Sequence, residues 1–265
     1  MRLLTEVATV GIEPTGHYPL SPHDLSKAFD VLSERSDADP DALAGLEFLY
    51  IDGLSHTKHG IRNLERQLSE SPSLFVQALA MTFRRKDGKE DPPELKTDNL
   101  ELGQKRAQSA YTMLSRARRL PGMNDKGELD GQKMRDWIVS VRALARDFGR
   151  DEIAENQIGQ LLAHSPIGSD GFWPHETVRE VLEDLGTDRL ASGMMIGKQN
   201  ARGAVWRGRG GDQERDIAKS YRDASAAVAT EYPFTARLLN ELARFYDRDA
   251  AWYDDRALVE KRLHS

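Results

Sequence analysis

The side chains of this chain with the clearest chemical potential lie between Gly197 and Arg222, in the stretch GKQNARGAVWRGRGGDQERDIAKSYR. Between positions 195 and 211 it carries Lys198, Arg202, Arg207 and Arg209 with no carboxylate, with Trp206 among them and Arg215 just beyond. Arginine forks match the oxygens of a phosphate, and an indole offers a face to a nucleobase. Glycines at 197, 203, 208, 210 and 211 let the backbone approach a ligand and permit positive φ. Amides at the start of a following helix would add to an anion site. Two features weigh against this chemistry. No strand precedes the stretch and no glycine-lysine-serine/threonine ending closes it, while Asp212 and Glu214 would compete for the same amides. The preferred reading is an ordered loop between helices, with arginines bridging neighbouring carboxylates and Trp206 filling the core. Lys198, Arg202, Trp206, Arg207, Arg209 and Arg215 stand as the candidates for binding an anion, a nucleic acid or a partner.

Other reactive groups make poorer sites. His56 and His59 (SHTKH) are three apart, but no third metal ligand is near in sequence, so both are expected to be exposed. His17 and His23 read as loop histidines, and His164 and His175 as groups at helix ends. Glu94-Leu95-Lys96 has the acidic-x-lysine form of many nucleases but sits in a proline-rich linker instead of on a strand. Asp254-Asp255, with Arg248, Asp249 and Arg256, reads as a solvated helix face. Trp137, Trp173 and Trp252 are expected in the core. No serine elbow and no Ser/His/Asp set emerges from spacing. No catalytic residue, metal or cofactor is assigned.

The elements that must position these groups read as helices throughout. Ser21-Pro22, Asp39-Pro40 and Ser71-Pro72 each pair a capping side chain with a proline tolerated in a first helical turn. Leu74, Phe75, Ala78, Leu79 and Phe83 follow at helical steps. Met134, Trp137, Ile138, Val141, Leu144, Ala145 and Phe148 form the strongest stripe, closed by Gly149 in a left-handed cap. Trp173-Pro174 should open another helix, Asp212 should cap the one after the glycine-arginine stretch, and two further helices should follow Tyr232-Pro233. No alternating strand or hairpin signal appears. The fold class is therefore all-α, a multi-helical array of stacked antiparallel helix hairpins, irregular solenoid or bundle. The polar run at 87–97 is expected to join an N-terminal helical subdomain, 1–86, to a C-terminal one, 98–265, although the two could pack as one.

Composition bounds the function. With 39% apolar and 30% charged residues, the chain suits helices that bury one stripe each. A net charge of −6 argues against a nucleic-acid coat protein without excluding a local basic patch. Zero cysteines remove disulfides, thiolate metal sites and cysteine nucleophiles together. No window nears the roughly 18 uninterrupted apolar residues of a membrane span, so a cytoplasmic location is expected by default.

Spaced residues add a resemblance: Leu46-Glu47 with Leu49-Tyr50, Ser71-Pro72 with Phe75, Leu120-Pro121-Gly122, Asn200 with Arg202-Gly203, and Gly210 to Arg215 with Ala218, Tyr221 and Arg222. From about Ala42 onward the chain resembles the helical C-terminal region of large bacterial proteins, some of which look like anti-phage or NTPase-linked sensors. The resemblance implies a recognition or scaffold region that normally sits beside an effector domain. This chain has no room for such a domain, and would then be a standalone relative or a fragment. The expected function is a non-enzymatic helical interaction or sensor module that binds another protein. The alternative is nucleic-acid or nucleotide-phosphate binding through 197–215. A third is an enzyme whose carboxylates or histidines meet only in the fold.

Overall fold

In the computed structural model, residues 21–92, 99–203 and 210–263 are described, with side chains up to Val259. Twelve helices occur among them. They are α1 Pro22–Ser33, α2 Pro40–Leu49, α3 Ile51–Leu54, α4 Arg62–Glu70, α5 Pro72–Thr82, α6 Leu100–Arg116, α7 Gly131–Asp147, α8 Asp151–Leu162, α9 Glu176–Leu185, α10 Asp188–Arg202, α11 Asp212–Val228 and α12 Pro233–Leu263. No strand appears among the described residues, and one isolated bridge joins Met123 to Leu129. The fold is all-α and multi-helical. No helix among these residues is long and apolar enough to cross a membrane.

Local chemistry accounts for the helix starts. Ser21, Asp39 and Ser71 each accept a hydrogen bond from an amide two or three residues on, and each is followed by proline. Asn99, Asp130 and Thr187 cap α6, α7 and α10 in the same way. Gly149 adopts φ +60, the left-handed turn required after α7.

Several expected boundaries moved. Trp173-Pro174 precedes a helix instead of opening it, because His175 is the cap and its Nδ1 accepts from the Thr177 amide. Asp212 is the first residue of α11, not its cap. Two helices expected after Tyr232 form one rod of 31 residues. Trp252 on that rod is 54% exposed, not in the core, and it packs on Tyr253 and beneath Arg256.

The chain divides into two units, Met1–Gln157 and Ile158–Ser265. This differs from a division at 87–97, because α5 and α6, which flank that run, pack on each other within the first unit. In the N-terminal unit α2 lies on α4, and α5 lies on α6 and α7, with Phe75 meeting Trp137 edge to face at 4.9 Å. In the C-terminal unit α11 and α12 form an antiparallel hairpin, since Gly211 binds Asp254 at one end and Ser225 binds the Ala236 carbonyl at the other.

Glycines set how closely helices in the C-terminal unit approach. A Cβ on Gly159 of α8 would lie 2.1 Å from the Leu190 carbonyl oxygen and 2.9 Å from Cα of Gly193 on α10. A Cβ on Gly197 would lie 2.6 Å from the Cβ of Ala163. Alanine gains at most about 1 kcal/mol of helix propensity over glycine. Overpacking against backbone costs roughly 1–3 kcal/mol or more, and backbone cannot swing aside. Gly159→Ala should therefore lower the thermal midpoint by several degrees, and a raised midpoint in a calorimetric scan would contradict the close approach.

Candidate functional site

The glycine-arginine stretch is not one loop. Its first part, through Arg202, is the end of α10, and Gly197 serves helix contact instead of ligand approach. Trp206, Arg207 and Arg209 lie outside the described residues, as does Glu94-Leu95-Lys96. The remaining candidates are engaged internally. Lys198 stands with Nζ 4.4 Å from the centre of the Trp173 ring, and burial pushes its ammonium below the ordinary lysine value. Arg202, one turn further, donates to Oε1 of the fully buried Glu214 at 3.0 Å and lies over Tyr246. Arg215 bridges Asp254 at 2.6 Å and Asp212 at 2.7 Å. The Arg215 bonds and the Gly211 amide hold Asp254 below the usual carboxylate range. Trp173 meets Tyr221 edge to face and Tyr221 stacks on Tyr246 beneath the two α10 cations, and desolvation raises the Tyr221 phenol.

The structure corrects the expectation of two exposed histidines. His56 is exposed beside Arg116, but His59 is fully enclosed. Its Nδ1 lies 2.9 Å from Asp30 on α1 and its Nε2 2.9 Å from Glu47 on α2. Glu47 also accepts from Asn63 Nδ2 at 2.7 Å and from the Leu64 amide at 2.8 Å. Ile61, the residue before α4, offers no side-chain cap, so Glu47 caps that helix from across the unit. Glu183 does the same for α12, accepting from the Phe234 amide at 2.9 Å and the Thr235 amide at 3.0 Å.

Two buried arginines play the reciprocal part for carbonyls. Arg150 donates to Phe83 and Phe148 carbonyls and to Asp91, closing the end of α5. Arg179 donates to Asp170 and to the carbonyls of Phe172 and Pro174. No group of three or more metal-ligating side chains occurs among the described residues.

Among the described residues, a groove of about 580 Å³ opens to solvent in the N-terminal unit. The end of α4, the start of α5, the turn after Arg119 and one face of α7 line it. Trp137, Met123 and Pro72 supply its apolar lining, while Arg66, Arg119 and Lys133 stand against Glu70, Asp125 and Asp136. Its size is that of a ligand or peptide pocket. Sequence reading missed it because its walls come from four separate segments, each of which looks like ordinary helix surface or turn. Compared with family models, with curated protein sequences and with solved structures, the chain matches none.

Proposed function

We propose that this chain is a non-enzymatic helical module that binds another protein, acting in the cytoplasm. The observation that carries the reading is where the charged groups go. Its enclosed ionisable side chains Glu47, Arg150 and Arg179 satisfy backbone groups inside the fold, as half-buried Glu183 also does, while the lining of the open groove is partly apolar and carries as many cations as carboxylates. A protein surface fits such a groove better than a polyanion, because three carboxylates would face the phosphates. Arg202 and Arg215, paired with Glu214 and Asp254, give the nucleic-acid alternative little support. The resemblance to the helical region of bacterial sensor-like proteins supports the same reading, with a defence setting as its extension.

The test is capture from the native cell by tagged chain, with light scattering on the eluted complex. Charge reversal in the groove, Lys133→Glu with Asp136→Lys, should release the partner at least tenfold more readily, whereas Arg215→Gln should not. A partner retained equally by both variants, or none retained by the wild type, overturns the proposal.

A further inference from the structure

We infer that Arg66 and Arg119 form an oxyanion subsite within the groove, occupied at rest by the chain's own Asp125 and meant for an acidic side chain of a partner segment. This rests on the interaction-module reading. Arg66 Nη2 lies 3.2 Å and Arg119 Nη2 3.1 Å from the same oxygen, Oδ1 of Asp125. The two guanidinium groups converge on that one oxygen, Arg119 through a hydrogen bond and Arg66 as an ion pair, and so make a locally cationic seat for an oxyanion.

Asp125 behaves as a tethered ligand and not as a structural brace. Its turn is shaped by Asn124, whose Oδ1 accepts from the Lys126 and Glu128 amides at 2.9 Å each. The Met123–Leu129 bridge and the Arg119 bond to the Met123 carbonyl at 2.7 Å complete the turn without Asp125. Asp125 is 70% exposed and Arg66 41%, so this ion pair sits in water and is readily exchanged.

The walls narrow the chemistry. Glu70 and Asp136 also line the groove and would repel a run of phosphates more than a single oxyanion. Trp137 and Met123 alongside offer an apolar seat. The fitting occupant is a protein segment with an Asp, Glu or phosphorylated residue next to an apolar one.

Three blocked leucine-flanked peptides that differ only in carrying serine, glutamate or phosphoserine would test this at low ionic strength. The readout is the indole N–H resonance of Trp137, assigned with Trp137→Phe. Glutamate and phosphoserine peptides should shift it and the serine peptide should not, and the order of the two acidic peptides tells which source of oxyanion is preferred. Asp125→Asn should tighten their binding about two- to fivefold by removing the competitor, and Arg66→Gln should weaken it at least tenfold while leaving the thermal midpoint unchanged. Acetate or inorganic phosphate should compete. Equal binding of the serine peptide, no effect of Asp125→Asn, no shift with any peptide, or preferential binding of oligothymidylate would each overturn the subsite. If the native partner is captured equally well by Arg66→Gln, the module reading stands and the subsite falls. If the peptides behave as stated but no partner is captured, the subsite stands without its cellular role.

Discussion

Replacing Arg179 with alanine should lower the stability of the C-terminal unit by about 2–4 kcal/mol, chiefly the cost of leaving enclosed carbonyls without donors, because its partner Asp170 is 38% exposed and can be solvated. The Arg179 side chain is almost fully enclosed. Its Nε donates to the Pro174 carbonyl at 2.6 Å, its Nη1 to Asp170 at 2.5 Å, and its Nη2 to Asp170 and the Phe172 carbonyl at 2.8 Å each. Alanine leaves two carbonyls and a carboxylate without these donors and opens a void beneath Tyr232, which Arg179 also faces. For a unit of this size the midpoint of thermal unfolding should fall by more than about 10 °C. Arg179→Lys should recover only a minority of the loss, because an ammonium cannot reproduce the planar fork. Urea titration followed by tryptophan emission reads both, and a loss below about 1 kcal/mol in the alanine variant would contradict the account.

The same pair carries a pH signature. The Arg179 bonds hold the Asp170 carboxyl down to about 2, and the Ser169 hydroxyl chiefly does the same for Glu176, also to about 2. Both folded values lie below the unfolded ones, so the stabilisation is complete above the unfolded range of roughly 4 and is lost as pH falls toward 2. In Arg179→Ala the Asp170 share is already missing at neutral pH. The gap between wild type and variant should therefore narrow steadily from about pH 4 to pH 2.

Which features could be read from sequence follows from how far apart the cooperating residues lie. Ser21-Pro22, Asp39-Pro40 and Ser71-Pro72 carry cap and first-turn proline side by side, so the start of each helix is local information. Gly159 and Gly197 look like breakers because the residues that require them, Leu190 and Gly193 for the one and Gln160 and Ala163 for the other, lie on or beside another helix. The cap of α4 is invisible for the same reason: Glu47 lies 17 residues before the Leu64 amide it receives, and Glu183 lies 51 before Phe234. Asp30 and His59 are 29 apart, and nothing in SHTKH announces that one histidine turns inward. The bridging of Arg202 and Arg215 to carboxylates agrees with that part of the preferred reading of the glycine-arginine stretch, yet the actual acceptors, Glu214 and Asp254, follow only from the hairpin of α11 and α12. The groove is the extreme case, because complementarity among four segments has no sequence period.

Removing Glu47 should destabilise the N-terminal unit by roughly 3–5 kcal/mol. The carboxylate is wholly enclosed and takes donors from His59, both nitrogens of Asn63 and the Leu64 amide. Nδ1 and Nε2 of His59 thus each face a carboxylate, Asp30 on one side and Glu47 on the other. Glu47→Ala strands the buried Nε2 of His59 and the first amides of α4 together. Glu47→Gln tests geometry against charge, since its amide keeps one acceptor but turns an NH₂ toward donors. It should fall between wild type and alanine. The decisive measurement is the cycle with His59→Leu. Once the imidazole is gone, Glu47→Leu no longer leaves its enclosed Nε2 without a partner, so the double variant should lose at least 1 kcal/mol less than the two single losses combined. Strict additivity would mean that the two side chains act independently, and that Glu47 contributes only as a cap for α4.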